Sequence, residues 1–315
     1  GINLVAIGMH ALGANTTANN NTAVGFETLC DNITGTSNTA MGVQALRDNT
    51  ADNNTAIGYH AGISITTGYQ NTALGQNALD STTTANHNTA IGATTLAANT
   101  TGYANTAVGY NALCTHTTGN SNTAVGDHAM KLTTTGTFNV AVGDNALCSN
   151  TTASSNVAIG RDALFANTTG TENVAIGALA LDANLSGNCN VAIGRSALTN
   201  STMGNQTAVG GCALFTNTTG HSNTAIGYFA SKLLTTACCT TSLGREALEA
   251  NTTGNLNTAI GYQSLTSNTT GGENTAVGDR ALFNNTTCGS NTAFGSQAMC
   301  GNGTISGASN TSVGA

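Results

Sequence analysis

The sequence predicts an all-β protein: a parallel β-solenoid, or β-roll, of about 18 coils of 17 residues, with chains packed side by side as a homotrimer. Three observations lead there. A tetrapeptide Thr/Val-Ala-Val/Ile-Gly recurs along all 315 residues, its glycines at 8, 25, 42, 58, 75, 92, 109, 126, 143, 160, 177, 194, 210, 227, 244, 261, 278, 295 and 314. The residues between those glycines are β-branched or turn-forming, without the i, i+3, i+4 periodicity of a helix. The same residue types also return to the same places in the repeat, as stacked coils require.

Fifteen of the eighteen intervals between landmark glycines are 17 residues long, two are 16 and the last is 19. One repeat therefore spans the chain, and residues 1–315 read as a single continuous domain. The consensus is Asn-Thr-Ala-Val/Ile-Gly-x-x-Ala-Leu-x-x-Asn-Thr-Thr-Gly-x-x, numbered here 1 to 17 with the landmark Gly at 5. Position 4 is apolar in all nineteen copies, and position 3 is Ala except at Ser242 and Ser312.

Each segment has a reason. Positions 2–4 are rich in Thr, Val and Ile, which favour strands. Positions 8–9, usually Ala-Leu, form a second apolar cluster and are expected to make a second short strand. Gly at 5 and 15 and Asn at 12 are expected to supply turns with φ > 0. Coils stacked about 4.8 Å apart would give a rod of roughly 86 Å. Each residue then meets its own copy above and below, so the Asn columns at positions 1 and 12 read as hydrogen-bonded ladders.

Alternation along the strand suggests a trimer. Positions 2 and 4 are expected to face inward, and Ala at 3 and Gly at 5 outward. An outward column of the smallest residues suggests that another backbone packs closely there, and closed cyclic symmetry is the usual solution. A monomeric solenoid is the alternative.

Composition excludes several classes. The chain holds 57 Thr and 42 Asn, no Pro or Trp, and 7% charged residues. Seven basic residues against fourteen acidic ones leave no footprint for nucleic acid. No apolar run reaches the roughly 20 residues that span a bilayer. The chain opens at Gly1-Ile2-Asn3 and stops at Val313-Gly314-Ala315 within the repeat, and is expected to be a segment of a longer protein. Gly301-Asn302-Gly303 and the last interval mark an irregular end.

The runs Asn173-Val174-Ala175-Ile176-Gly177 and Asn190-Val191-Ala192-Ile193-Gly194, each with Ala three residues on (Ala180, Ala197), resemble the head repeats of trimeric autotransporter adhesins. The longer consensus also resembles repeats of phage tail fibres. The resemblance implies a parallel β-roll in which three chains coil side by side. The period of 17 departs from the shorter repeat of those heads, the extra residues falling in Asn-Thr-Thr-Gly.

No catalytic, cofactor-binding or metal site is expected. His10, His60 and His128 share position 7 but lie at least roughly 14 Å apart, and His87, His116 and His221 occupy other columns. Asp127 and Asp144 are neighbours at position 6 and read as a solvated pair. Cys114 and Cys148 at position 10 are two coils, about 9.6 Å, apart, beyond the reach of a disulfide. Cys30 and Cys300 share position 10, Cys189, Cys212, Cys238, Cys239 and Cys288 do not, and most thiols read as small half-buried fillers. Asn15, Asn99, Asn150, Asn167, Asn217, Asn251 and Asn268 open Asn-Thr-Thr, an N-glycosylation pattern read here as repeated turn chemistry.

The expected function is therefore a non-enzymatic structural fibre or filament, an extracellular adhesin or tail-fibre shaft. It would assemble with itself, as a homotrimer or end to end, and meet a cell-surface or glycan receptor through variable positions such as 6, 7, 10, 16 and 17. Tyr59, Tyr110, Tyr228 and Tyr262 recur at position 6 and offer contacts. The alternative is an ice-binding solenoid that uses Thr arrays. That reading is weakened by the inward placement of position 2 and by Val at 140, 157, 174 and 191.

Overall fold

A computed structural model describes residues 1–301 and 307–314. It is an all-β parallel β-solenoid of about 18 coils, with no helix among the described residues and hence none long and apolar enough to cross a membrane. Asn302, Gly303 and Ala315 lie outside the described residues.

The chain divides into two compact units, Gly1–Asn156 and Val157–Ala315. The first holds β1 (Val5–Ile7), β2 (Thr22–Val24), β3 (Thr39–Met41), β4 (Thr55–Ile57), β5 (Thr72–Leu74), β6 (Thr89–Ile91), β7 (Thr106–Val108), β8 (Thr123–Val125) and β9 (Val140–Val142). The second holds β10 (Val157–Ile159), β11 (Val174–Ile176), β12 (Val191–Ile193), β13 (Thr207–Val209), β14 (Thr224–Ile226), β15 (Thr241–Leu243), β16 (Thr258–Ile260), β17 (Thr275–Val277), β18 (Thr292–Phe294) and β19 (Thr311–Val313). Within each unit every strand pairs in parallel with the next and stays in register. Thr106, Ala107 and Val108 thus face Thr123, Ala124 and Val125, and Thr258, Ala259 and Ile260 face Thr275, Ala276 and Val277.

The strand faces are the reverse of the sequence expectation. Ala at position 3 is the inward residue: Ala107, Ala124, Ala175 and Ala276 are all 0% exposed. Position 4 points outward, with Ile176 36%, Leu74 42% and Phe294 57% exposed. A coil whose strand is three residues long encloses a narrow interior. Ala at 3 and 8, Leu at 9 and two Asn fill it, as Ala112, Leu113, Asn99 and Asn122 do in the first unit. A Val or Ile at the strand centre would exceed that volume, and overpacking costs about 1–3 kcal/mol.

The expected second strand is also absent. Positions 8–9 lie in a chain of turns, because positions 7 and 9 take left-handed backbone. His128 has φ 55°, Met130 51° and Leu113 51°. The N–H groups still reach neighbouring coils: Leu113 donates to the Ala129 carbonyl at 3.1 Å, and His128 to the Tyr110 carbonyl at 3.0 Å. Left-handed φ therefore falls at 5, 7, 9 and 17, and Asn at 12 does not use it. Gly126 does, at φ 142°, and a Cβ there would overlap the Gly143 carbonyl. Gly126→Ala is expected to cost about 1–3 kcal/mol from backbone strain alone, read as a lowered denaturant midpoint. Gly at 15 serves close approach instead. A Cβ on Gly102 would overlap the Gly119 carbonyl and stand 2.6 Å from Asn99 Oδ1.

Both Asn ladders form, with the backbone as a third participant. In the position 1 column Asn122 Oδ1 accepts the Asn139 N–H at 3.0 Å and the Asn139 side-chain amide at 3.2 Å. Asn122 Nδ2 donates to the Gly136 carbonyl at 2.8 Å and to Asn105 Oδ1 at 3.1 Å. In the second unit the Asn274 N–H and side-chain amide donate to Asn257 Oδ1 at 2.9 and 3.1 Å, and the Asn291 N–H donates to Asn274 Oδ1 at 3.0 Å. Gln206 keeps the pattern in its own coil, its Oε1 accepting the Asn223 N–H at 3.3 Å. In the position 12 column Asn184 donates to Asn167 Oδ1 at 3.0 Å, and Asn268 to Asn251 Oδ1 at 3.0 Å.

The position 12 ladder breaks where the sequence departs from Asn. His116 and Leu234 occupy that column, and Asn99 Oδ1 and Asn217 Oδ1 in the preceding coils are left buried without a partner. His116 is itself fully buried. Its Nε2 donates to the Gly119 carbonyl at 2.7 Å, so the neutral ring leaves Nδ1 unprotonated and unpartnered. Burial pushes this imidazole below its usual range, and the backbone of Gly119 and Thr133 only partly offsets that. The unfolded chain therefore takes up the proton first as pH falls. Stability is full above the ordinary histidine value of 6.5 and declines as pH drops from there toward the lower folded value. His116→Asn is expected to supply the donor that Asn99 Oδ1 lacks. It should raise stability at neutral pH by about 1–3 kcal/mol and lessen the acid-side decline, both measured by denaturant unfolding at pH 7.5 and 5.

Candidate interaction surface

Most buried polar groups are hydrogen-bonded within the stack, so chemistry toward another molecule falls to the outward columns. The chain holds an eighth Asn-Thr-Thr run at Asn285, and seven of the eight asparagines, from Asn99 to Asn285, are fully buried. The side-chain amide of Asn167 donates to the Gly170 carbonyl at 3.0 Å and that of Asn251 to Gly254 at 2.9 Å. A glycosylating enzyme cannot reach those nitrogens in the folded chain. Asn15 is half-buried.

The titratable residues do not converge. His10, His60 and His128 sit at left-handed position 7 of separate coils. His128 Nδ1 lies 3.0 Å from Asp127 Oδ1, so Asp127 has its sequence neighbour beside it. His60 stacks on Tyr59 at 3.8 Å between ring centroids, and His128 meets the Tyr110 ring edge-on at 5.5 Å. Among the described residues no group of three or more His, Cys, Asp or Glu could hold a metal ion.

Cys30, Cys114, Cys148, Cys189, Cys212, Cys238, Cys239 and Cys300 are unbridged thiols, most of them half-buried. Burial pushes the Cys114 and Cys148 thiols up, with Lys131 partly opposing it. Cys189 is pushed up by its hydrogen bond to Glu172 Oε2 at 3.4 Å. A thiol held protonated is a poor nucleophile and a poor metal ligand.

The outward strand face is a regular surface. In the first unit it carries Thr22, Thr39, Thr55, Thr72, Thr89, Thr106 and Thr123 at position 2, beside Val24, Met41, Ile57, Leu74, Ile91, Val108 and Val125 at position 4. The second unit repeats it from Thr207 and Val209 to Thr292 and Phe294. No charged residue occupies either column. Among the described residues, no hydrogen bond engages the hydroxyls of those position 2 threonines. Position 13 differs: Thr100 Oγ1 donates to the Thr117 carbonyl at 3.0 Å and Thr252 Oγ1 to Thr269 at 3.0 Å. The sequence alone did not reveal this face, because alternation locates two faces without saying which is inside.

No known family model and no curated protein matches this chain.

Proposed function

We propose that this chain is a non-enzymatic structural element of an extracellular fibre or filament, and that copies of it associate through the outward strand face. The observation that carries the reading is the unbroken apolar column at position 4. In each unit large aliphatic or aromatic side chains stand there in every coil, partly or largely exposed, with no charge between them. Contiguous apolar surface of this kind marks an association site on a soluble protein. Three copies around a common axis would bury that column on every chain, in keeping with the side-by-side rolls that the Asn-Val-Ala-Ile-Gly runs resemble. A surface adhesin or tail-fibre shaft would use stacked coils of this kind as a spacer.

Sedimentation equilibrium tests the reading. A particle of three times the 31.2 kDa chain mass is the expected result. A particle of single-chain mass at all concentrations would overturn the assembly.

One observation favours a second reading. The position 2 hydroxyls are free and repeat beside methyl-rich side chains at the coil spacing, about 4.8 Å. Such a regular hydroxyl and methyl grid orders water, and ice binding would use it. A thermal-hysteresis assay on single-chain material decides between the two.

A further inference from the structure

We propose that the first unit carries a carbohydrate-binding groove, lined by Thr34, Thr50, Asp52, Asn53, Tyr69 and Gln70, that takes a neutral oligosaccharide. The inference is independent of the self-association proposed above, since none of these residues belongs to the strand face.

The groove lies where the sequence departs from the repeat. The coil from Gly42 to Gly58 is one residue short, and the loss falls in the turn, where Asn49-Thr50-Ala51-Asp52-Asn53 replaces Asn-Thr-Thr-Gly-x-x. An open cleft of about 550 Å³ lies at this turn, within the size range of ligand sites.

Its lining suits a sugar. Tyr69 is exposed, and its ring is braced edge-on by His87 at 5.3 Å, 78° between planes. Its backbone N–H donates to Asn86 Oδ1 at 3.1 Å. A fixed aromatic face with negative π density receives the C–H face of a pyranose. Asp52 is also fixed: Oδ1 accepts the Thr36 N–H at 2.6 Å and the Thr36 hydroxyl at 3.0 Å. Its other oxygen, Oδ2, is left to accept a sugar hydroxyl. The Asn53 and Gln70 side-chain amides can each donate and accept. Their backbones are tied to neighbouring coils, Asn53 to the Thr36 carbonyl at 3.0 Å and Gln70 to the Asp52 carbonyl at 3.3 Å.

The only charged lining group is a carboxylate, which selects against sialylated and sulfated glycans. Tyr103 repeats the Tyr69 position two coils on, about 9.6 Å along, and its N–H is held the same way by Asn120 Oδ1 at 2.9 Å. Two aromatic platforms at that separation fit a chain of sugars better than one ring.

The test is a glycan array probed with the intact chain, followed by titration calorimetry of the best neutral glycan. Tyr69→Ala is expected to weaken binding at least about tenfold, while Tyr69→Phe, which keeps the ring, stays close to the parent. A glycine inserted between Ala51 and Asp52 restores the 17-residue coil and should abolish binding. Circular dichroism of each variant confirms that the solenoid persists, and particle mass is expected to be unchanged. Retention of anionic glycans only, no glycan bound at millimolar concentration, or equal affinity in Tyr69→Ala would each overturn the proposal.

Discussion

Asn122→Asp is expected to be among the most destabilising single changes in the first unit. The substitution preserves size and leaves an oxygen to accept the Asn139 N–H. It removes the two donors that serve the Gly136 carbonyl and Asn105 Oδ1 and sets carboxylate lone pairs against both oxygens. An uncompensated buried charge costs about 3–5 kcal/mol. Asn122→Ala strands the same partners without the charge, and each buried orphan costs about 1–3 kcal/mol. The two variants should separate with pH. A buried aspartate has a raised pKa, so the folded chain binds the proton more tightly than the unfolded one. The Asp variant then gains stability as pH falls, because its protonated carboxyl can donate again. The Ala variant lacks that response. Hydrogen exchange should show the loss centred on the coils of Asn105, Asn122 and Asn139, since a solenoid coil contacts mainly its neighbours. Unchanged protection there would contradict the ladder as a source of stability.

Lysine placed on neighbouring strand positions should give opposite results. Val125→Lys and Val108→Lys point outward and are expected to leave the single chain folded, within about 0.5 kcal/mol. If copies associate through that face, these variants shift the particle from multiple to single-chain mass. Ala124→Lys and Ala107→Lys point into a fully packed interior. They would bury an unpaired ammonium and unfold the local coils, since such burial costs several kcal/mol or more. Sedimentation together with circular dichroism separates the outcomes. If the particle is a single chain from the start and Val125→Lys removes thermal hysteresis, the ice-binding reading takes precedence. If the Ala variants fold normally while the Val variants do not, the face assignment itself is wrong.

The sequence by itself determined the repeat, its parallel in-register stacking and the columns of Asn. Those follow from spacing, because residues 17 apart meet across a coil boundary whatever the coil's cross-section. It also identified the position 12 asparagines as structural: Asn167 and Asn251 are ladder residues before they are glycosylation acceptors. Tertiary structure decided which strand face is inside, since Thr106-Ala107-Val108 alternates equally well in either sense. The interior volume chose the methyl of Ala107 and turned Val108 outward. Tertiary structure also put Leu113 and its counterparts into left-handed turns instead of a second strand, a conformation that local propensity disfavours and coil closure imposes. The groove at Tyr69 was equally hidden. The one-residue deficit near Ala51 is visible in the spacing, but the cleft is not, because its walls come from Thr34, Tyr69 and Gln70 of neighbouring coils as well as from the short turn itself.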